Sequence, residues 1–206
     1  KFGEVQLAKL RDNNKYYALK RISKIGYPDG EKAVDENESI RHNLSNIKAE
    51  ITVMLKTRHP FLIHCFGYFQ DCKSVSLIME YCPGGELFNL LRRRVKFQES
   101  EVKFYVCELS LALNFLNSPP LNIAYRDLKP ENVLIDSFGH LRICDFGFAK
   151  PMAKLKNASG NMQSGLEGGC GTAMYLPPEM AGGGDSKVHG IEVDWWSLGV
   201  VCYEML

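Results

Sequence analysis

Tyr125-Arg126-Asp127-Leu128-Lys129-Pro130-Glu131-Asn132, followed by Asp145-Phe146-Gly147 thirteen residues beyond Asn132, decides how the rest of the chain is read. Asp127 is a carboxylate that can accept a hydroxyl proton, and Lys129 is a cation that can sit beside a phosphate in flight. Asn132 and Asp145 offer oxygen ligands to magnesium, a hard cation that prefers them. A polar turn between two strands would need one satisfied aspartate and no more. Four complementary groups at this spacing make a set suited to phosphoryl transfer.

The frame Arg-Asp-Leu-Lys-Pro-Glu-Asn with a later Asp-Phe-Gly resembles the catalytic and magnesium loops of the eukaryotic protein kinases. The resemblance covers nearly every residue. It implies one α+β, two-lobed domain truncated at both ends: a small antiparallel β lobe with one helix (1–79), a hinge (80–84) and part of a larger, mainly helical lobe (85–206). It also implies roles. Asp127 orients and accepts from the substrate hydroxyl, Lys129 stabilises the γ-phosphoryl group, and Asn132 with Asp145 holds two magnesium ions. Thr172 hydrogen-bonds Asp127 and Lys129. Lys129 and Gly171-Thr172 resemble serine/threonine members rather than tyrosine kinases.

Upstream, Phe2 to Ala8 alternates as a strand does, and Tyr16 to Ile22 is rich in aromatic and branched residues, with a polar turn at Asp12-Asn13-Asn14 between them. Together they read as a hairpin. In the resemblance Gly3 is the last glycine of a phosphate-covering loop, where backbone amides must approach phosphate with no Cβ in the way. Lys20 then binds the α and β phosphates and is held by Glu50. That glutamate lies on a helix predicted from Ser39 to Lys56, in which Ile40, Leu44, Ile47, Ile51, Met54 and Leu55 recur at helical spacing. A charged stretch from Gly26 to Glu38 has no apolar period and reads as a loop.

Short strands near Leu62 to Phe69 and Val75 to Glu80 lead to the breaker cluster Cys82-Pro83-Gly84-Gly85. The resemblance makes Met79 the gatekeeper of an ATP pocket and lets Glu80 and Cys82 present backbone groups to the purine edge. Val5, Ala18 and Leu134 would sandwich the base, and Glu86 would touch the ribose. Without the frame, these apolar residues read equally well as core.

Beyond the hinge, helices are predicted over Glu86 to Arg93, Glu99 to Leu116 and Glu192 to Leu206, with brief strands over Val133 to Ile135 and Leu141 to Cys144. Residues 150–171 are rich in Gly, Ser, Asn and Lys, show no period, and read as a long loop. Within the family, Tyr125 in place of the usual His, Asp145 to Lys150, Cys170-Gly171-Thr172 and Asp194 to Gly199 resemble the AGC group, cyclic-nucleotide-dependent kinases in particular. Glu86, Glu131 and Glu204 match carboxylates that grip arginines upstream of the phosphoacceptor.

The family's activating phosphothreonine would fall two residues before Cys170, at Gly168, which cannot carry phosphate. Arg126 and Lys150 remain as cations for it. Glu167, or a phosphate on Ser164 or Ser159, is expected to neutralise them. Pro177-Pro178-Glu179 stands where the family has Ala-Pro-Glu.

Composition sets outer bounds. At 206 residues, 45% hydrophobic and 24% charged, the chain is globular with room for a sizeable core. A net charge of +1 gives no field that would attract nucleic acid or an anionic membrane. Seven scattered cysteines without a Cys-x-x-Cys argue against a disulfide framework or a zinc site and for a reducing compartment, cytoplasmic or nuclear. No apolar run is long enough to span a membrane. The implied cofactors are ATP and magnesium, and the implied partners a protein substrate and a regulatory domain or subunit outside these residues. The rival is a pseudokinase that binds partners without transferring phosphate, for which only the irregular loop before Gly171 speaks.

Overall fold

The computed structural model describes residues 3–12, 14–24, 36–94, 96–156, 162–167, 172–178 and 188–206. The chain divides into two compact units, Lys1–Arg58 with Ile63–Tyr81, and His59–Leu62 with Cys82–Leu206. The division at 81/82 falls inside the segment read as a hinge, while residues 59–62 group with the second unit rather than the first.

In the first unit β1 (Glu4–Lys9), β2 (Tyr16–Ser23), β3 (Cys65–Gln70) and β4 (Ser74–Glu80) form an antiparallel sheet in the order β1-β2-β4-β3. Branched and aromatic residues fill β2 and β4, which suits a pleated, half-buried surface. The register sets Val5 opposite Lys20 and Ala18 opposite Met79. Gly3 has φ 119°, and a Cβ there would meet Arg21 O at 2.3 Å, so the close passage of β2 already demands glycine at this position. The turn between β3 and β4 is tied by Asp71, whose Oδ1 accepts from Lys73 N and Ser74 N, each at 2.7 Å.

Helix α1 (Glu36–Lys56) starts three residues before the predicted Ser39, so Glu36 to Glu38 are helical rather than loop. Acidic side chains suit the positive end of a helix. Residues 25–35, which hold most of the predicted loop, lie outside the described residues. Ile47, Ile51 and Met54 are buried, whereas Leu44 and Leu55 are exposed. The buried stripe is narrower than the apolar spacing suggested.

The second unit runs through β5 (Gly85–Glu86), α2 (Leu87–Arg94), α3 (Glu99–Asn117), β6 (Ile123–Ala124), β7 (Val133–Ile135) and β8 (Leu141–Ile143). It continues through β9 (Lys150–Pro151), β10 (Ala153–Lys156), β11 (Met162–Glu167), β12 (Val188–His189) and α4 (Glu192–Met205). Its helix α3 buries one face, which places Val102, Leu109, Leu113 and Leu116 in the core. At its start Gln98 N donates to Glu101 Oε2 at 3.0 Å, half of a capping box. Residues 59–62 belong here because Ile143 N donates to Phe61 O at 2.9 Å and His59 stacks on Phe115, centroids 4.9 Å apart.

Two sequence expectations need correcting. Glu86 ends a strand opposite Leu134 instead of starting a helix. Just before it, Gly84 N donates to Ile135 O, and a Cβ on Gly84 would come within 2.7 Å of that oxygen, so the strand is pulled in where only glycine fits. Residues 150–171, read as one long loop, contain the three strands β9, β10 and β11: β9 pairs with β6, and β10 and β11 form a sheet with β12 from further along the chain. Ladders are made by backbone groups, so a Gly- and Ser-rich composition does not forbid them. The alternation in Ala153-Lys154-Leu155-Lys156 was the one signal available. Among the described residues, no helix is long and apolar enough to cross a membrane.

Candidate active site

The loop 125–132 is suspended from α4. Asp194 is fully buried; its Oδ1 accepts from Arg126 N at 2.7 Å and its Oδ2 from Tyr125 N at 2.8 Å and Asn117 Nδ2 at 2.9 Å. Burial pushes its carboxyl up, and the same donors pull it back toward ionisation. Arg126 and Asp145 sit at φ 69° and 60°, a left-handed conformation that a non-glycine residue holds only where its surroundings fix it. Around Arg126 the fixing contacts are its amide on Asp194 and its Nε on Phe148 O at 2.9 Å. Around Asp145, Tyr125 Oη donates to the carbonyl of Cys144, and the Tyr125 ring meets Phe146 edge-to-face at 5.7 Å. Complete burial drives the Tyr125 phenol well up, so it stays a donor.

Asp127 is held at both oxygens. Oδ1 accepts from Lys129 Nζ at 3.2 Å and Thr172 Oγ1 at 3.2 Å, and Oδ2 accepts from Asn132 Nδ2 at 2.7 Å and lies 3.0 Å from Lys129 Nζ. Thr172 Oγ1 also accepts from Lys129 Nζ at 2.6 Å, which closes a ring of three groups. Asn132 Nδ2 donates to Asp127 O as well, at 2.9 Å, and Asn132 O accepts from Cys144 N at 2.9 Å, tying the loop to the residue before Asp145. With its amide nitrogen committed to Asp127, Asn132 has Oδ1 to offer a cation.

In the first unit, Lys20 Nζ donates to Glu50 Oε1 at 2.8 Å, joining β2 to α1, and both side chains are more than nine-tenths buried. Met79 is buried and Ala18 half-buried on neighbouring strands, while Val5 on β1 is exposed. Glu80 N donates to His64 O at 2.8 Å. In the second unit Cys82 O accepts from Gly85 N at 3.3 Å, Leu134 is half-buried on β7, and Glu86 accepts from Asn89 Nδ2 at 3.3 Å.

One of the three acidic residues, Glu204, meets a side chain that sequence reasoning missed. Tyr175 Oη reaches both oxygens of Glu204, at 3.0 and 2.9 Å, and its phenol is pushed up by burial, then by Glu204 and Glu131. A tyrosine outside every motif carries no signal in sequence. Glu131 Oε2 is buried and finds no hydrogen-bond partner among the described residues. Such an atom is what an incoming cationic donor would satisfy. Of the residues tied to regulation, Lys150 is exposed on β9, and Ser164 and Glu167 lie on β11. Gly168 and Ser159 lie outside the described residues, as do Glu179 and the pair Cys170-Gly171.

A suspended aspartate with a neighbouring lysine in one unit, and a glycine before β1 with a paired lysine on β2 in the other, agree with comparison by family. Residues 1–206 match the protein kinase domain, and the chain belongs to that family. Among individual proteins it is 40% identical over 205 residues to the cAMP-dependent protein kinase catalytic subunits of Arthrobotrys oligospora and Dictyostelium discoideum. It is equally similar to cAMP-dependent protein kinase type 3 of Saccharomyces cerevisiae. Each match covers all of this chain but only 34%, 28% and 45% of the respective relative, so the chain spans less than half their length.

Proposed function

We propose that this domain transfers the γ-phosphoryl group of ATP to serine or threonine hydroxyls of proteins bearing arginines upstream of the acceptor. The observation that carries the reading is the fixation of Asp127 at both carboxylate oxygens by Lys129, Thr172 and Asn132. A carboxylate held this way can orient a hydroxyl and take its proton as the hydroxyl oxygen bonds to the γ-phosphorus. The bond from that phosphorus to its bridging oxygen breaks, and the electron pair leaves with ADP. Lys129, bonded to Asp127 and Thr172, supplies positive charge beside the group in transfer.

Asn132 Oδ1 and the Asp145 carboxylate fit a hard cation, and magnesium bound to them would neutralise charge on the phosphates. Lys20, held by Glu50, is assigned to the α and β phosphates, with Gly3 leaving backbone close to them. Val5, Ala18, Met79 and Leu134 are assigned to the base, the backbone of Glu80 and Cys82 to its edge, and Glu86 to the ribose. The unsatisfied oxygen of Glu131, whose charge acts on the same Tyr175 phenol that bonds Glu204, supports a preference for arginine, whose planar fork pairs with carboxylates. A regulatory domain or subunit outside these residues, and a cytoplasmic or nuclear location, belong to the same reading.

The test is phosphate transfer from magnesium ATP to a serine peptide with arginines two and three residues upstream, using the full-length protein and its Asp127→Asn variant. The variant should lose about 10²- to 10⁴-fold in rate, the usual contribution of a positioned acid or base. Equal rates in both proteins, or ATP binding with no transfer to any peptide, would sink the reading; the second result would favour a pseudokinase.

A further inference from the structure

The loop after Asp145 carries glycine at position 168, where the resemblance expects a phosphorylated threonine, and it is also where unforeseen strands lie. At its start β9 pairs with β6, through Ile123↔Pro151 and Ala124↔Lys150, and Met152 N donates to Asn122 O at 2.7 Å. At its far end β11 pairs with β10 at four register positions, from Ala153↔Gly165 to Lys156↔Met162, and with β12 at Leu166↔His189 and Glu167↔Val188. β12 runs straight into α4: Gly190 N donates to Glu192 Oε1 at 2.9 Å, two residues before the Asp194 that suspends Tyr125 and Arg126. The loop is thus joined by backbone ladders to the segment preceding the catalytic loop and to the segment preceding the helix that holds it.

A phosphorylated side chain orders such a loop by pairing with cations, a contact that exists only after modification. A ladder of amides and carbonyls needs no modification. Position 168 is glycine, without a hydroxyl to modify. We propose that the β10-β11-β12 sheet orders the activation loop in place of a phosphorylated residue, so that the domain is competent for transfer without phosphate in this loop. The proposal rests on the reading of Asp127 as the group that serves transfer. It competes with the sequence expectation that charge on Glu167, Ser164 or Ser159 does the ordering.

The test uses full-length protein stripped of phosphate by a broad-specificity phosphatase, with intact mass confirming removal. Stripped protein should keep its kcat/KM for the arginine-bearing serine peptide, and so should the triple variant Ser159→Ala, Ser164→Ala, Glu167→Gln, which removes every candidate charge and leaves the backbone intact. Ser164→Pro and Leu166→Pro place a ring with no N–H at register positions facing β10 (Lys154) and β12 (His189), where proline disrupts a ladder. Each should lower kcat/KM by about 10²-fold, the scale of a misplacement of about 1 Å near a reacting centre. ATP-analogue binding and melting temperature report whether the proline variants remain folded. Independently of any activity, hydrogen exchange on stripped wild type should show amides 163–167 exchanging at least about tenfold more slowly than in an unstructured chain. Loss of activity on stripping or in the triple variant, full activity in the proline variants, or unprotected amides in β11 would each overturn the proposal. Unprotected amides do so even if no peptide is phosphorylated, while protected amides with no Asp127-dependent transfer would place the failure in the proposed function instead.

Discussion

Two lysine–carboxylate pairs carry the chemistry assigned to this domain, and they are held in opposite ways. Lys20 and Glu50 meet at 2.8 Å with side chains 9% and 6% exposed. Lys129 and Asp127 meet at 3.0 Å, but Lys129 is 20% exposed, and Thr172 and Asn132 share the carboxylate. In the first pair each charge relies on the other for much of what replaces water. In the second, Asp127 keeps two donors if the lysine is lost. Burial, more than distance, decides how a pair responds to damage.

The sharpest way to break the comparison is Lys20→Met. It leaves Glu50 buried without its ammonium and should cost about 3–5 kcal/mol of folding stability, read by chemical denaturation. Adding Glu50→Leu should recover most of that loss, because an apolar pair of similar volume removes the stranded charge. A double variant no more stable than the single one would mean that Glu50 has other support. Lys129→Met should cost less, about 1.5–3 kcal/mol for a hydrogen bond to a charged group, while still lowering transfer. Thr172→Val removes one neutral member of the ring and should cost about 1 kcal/mol. Combined with Lys129→Met, it should show a coupling of about 0.5–3 kcal/mol, since the two side chains touch.

The smallest effect concerns a carboxylate outside both pairs. The amides of Lys73 and Ser74 hold Asp71 down to about 2, with Arg21 contributing least. A folded value below the ordinary one of about 4 means that its stabilising contribution is present above that pH and is lost as pH falls through about 2. An NMR titration of the Asp71 carboxyl in Arg21→Ala should therefore still give a midpoint near 2. A return to the ordinary value would put charge, not backbone donors, in control of the turn.

How much of this was legible in advance depended on what kind of group does the holding. Asp127, Lys129, Asn132 and Thr172 are joined by side chains, and side-chain types at fixed spacing are what a sequence displays. The helix bearing Glu50 was legible for the same reason, through Ile47, Ile51 and Met54, although Leu44 and Leu55 showed that periodicity overstates a buried face. The strands of residues 150–167 were not legible, because backbone ladders leave little trace in Gly-, Ser- and Lys-rich segments. Glu86 was misassigned to a helix because its strand exists through a distant partner, Leu134. Tyr175 escaped because its meaning comes from Glu204, 29 residues away.

Asp194 also has a consequence in time. Its oxygens hold the amides of Tyr125 and Arg126 across separations of 69 and 68 residues, so the catalytic loop cannot take its final shape when it leaves the ribosome. At about 5–20 residues per second, roughly 3 to 14 s of synthesis separate Arg126 from Asp194, and the helix must then dock. Closing a loop of that length is entropically costly and belongs late on the folding route. A nascent chain of this protein would thus spend its early seconds with the transfer machinery unassembled, and catalytic competence would arrive as one of the last events of folding.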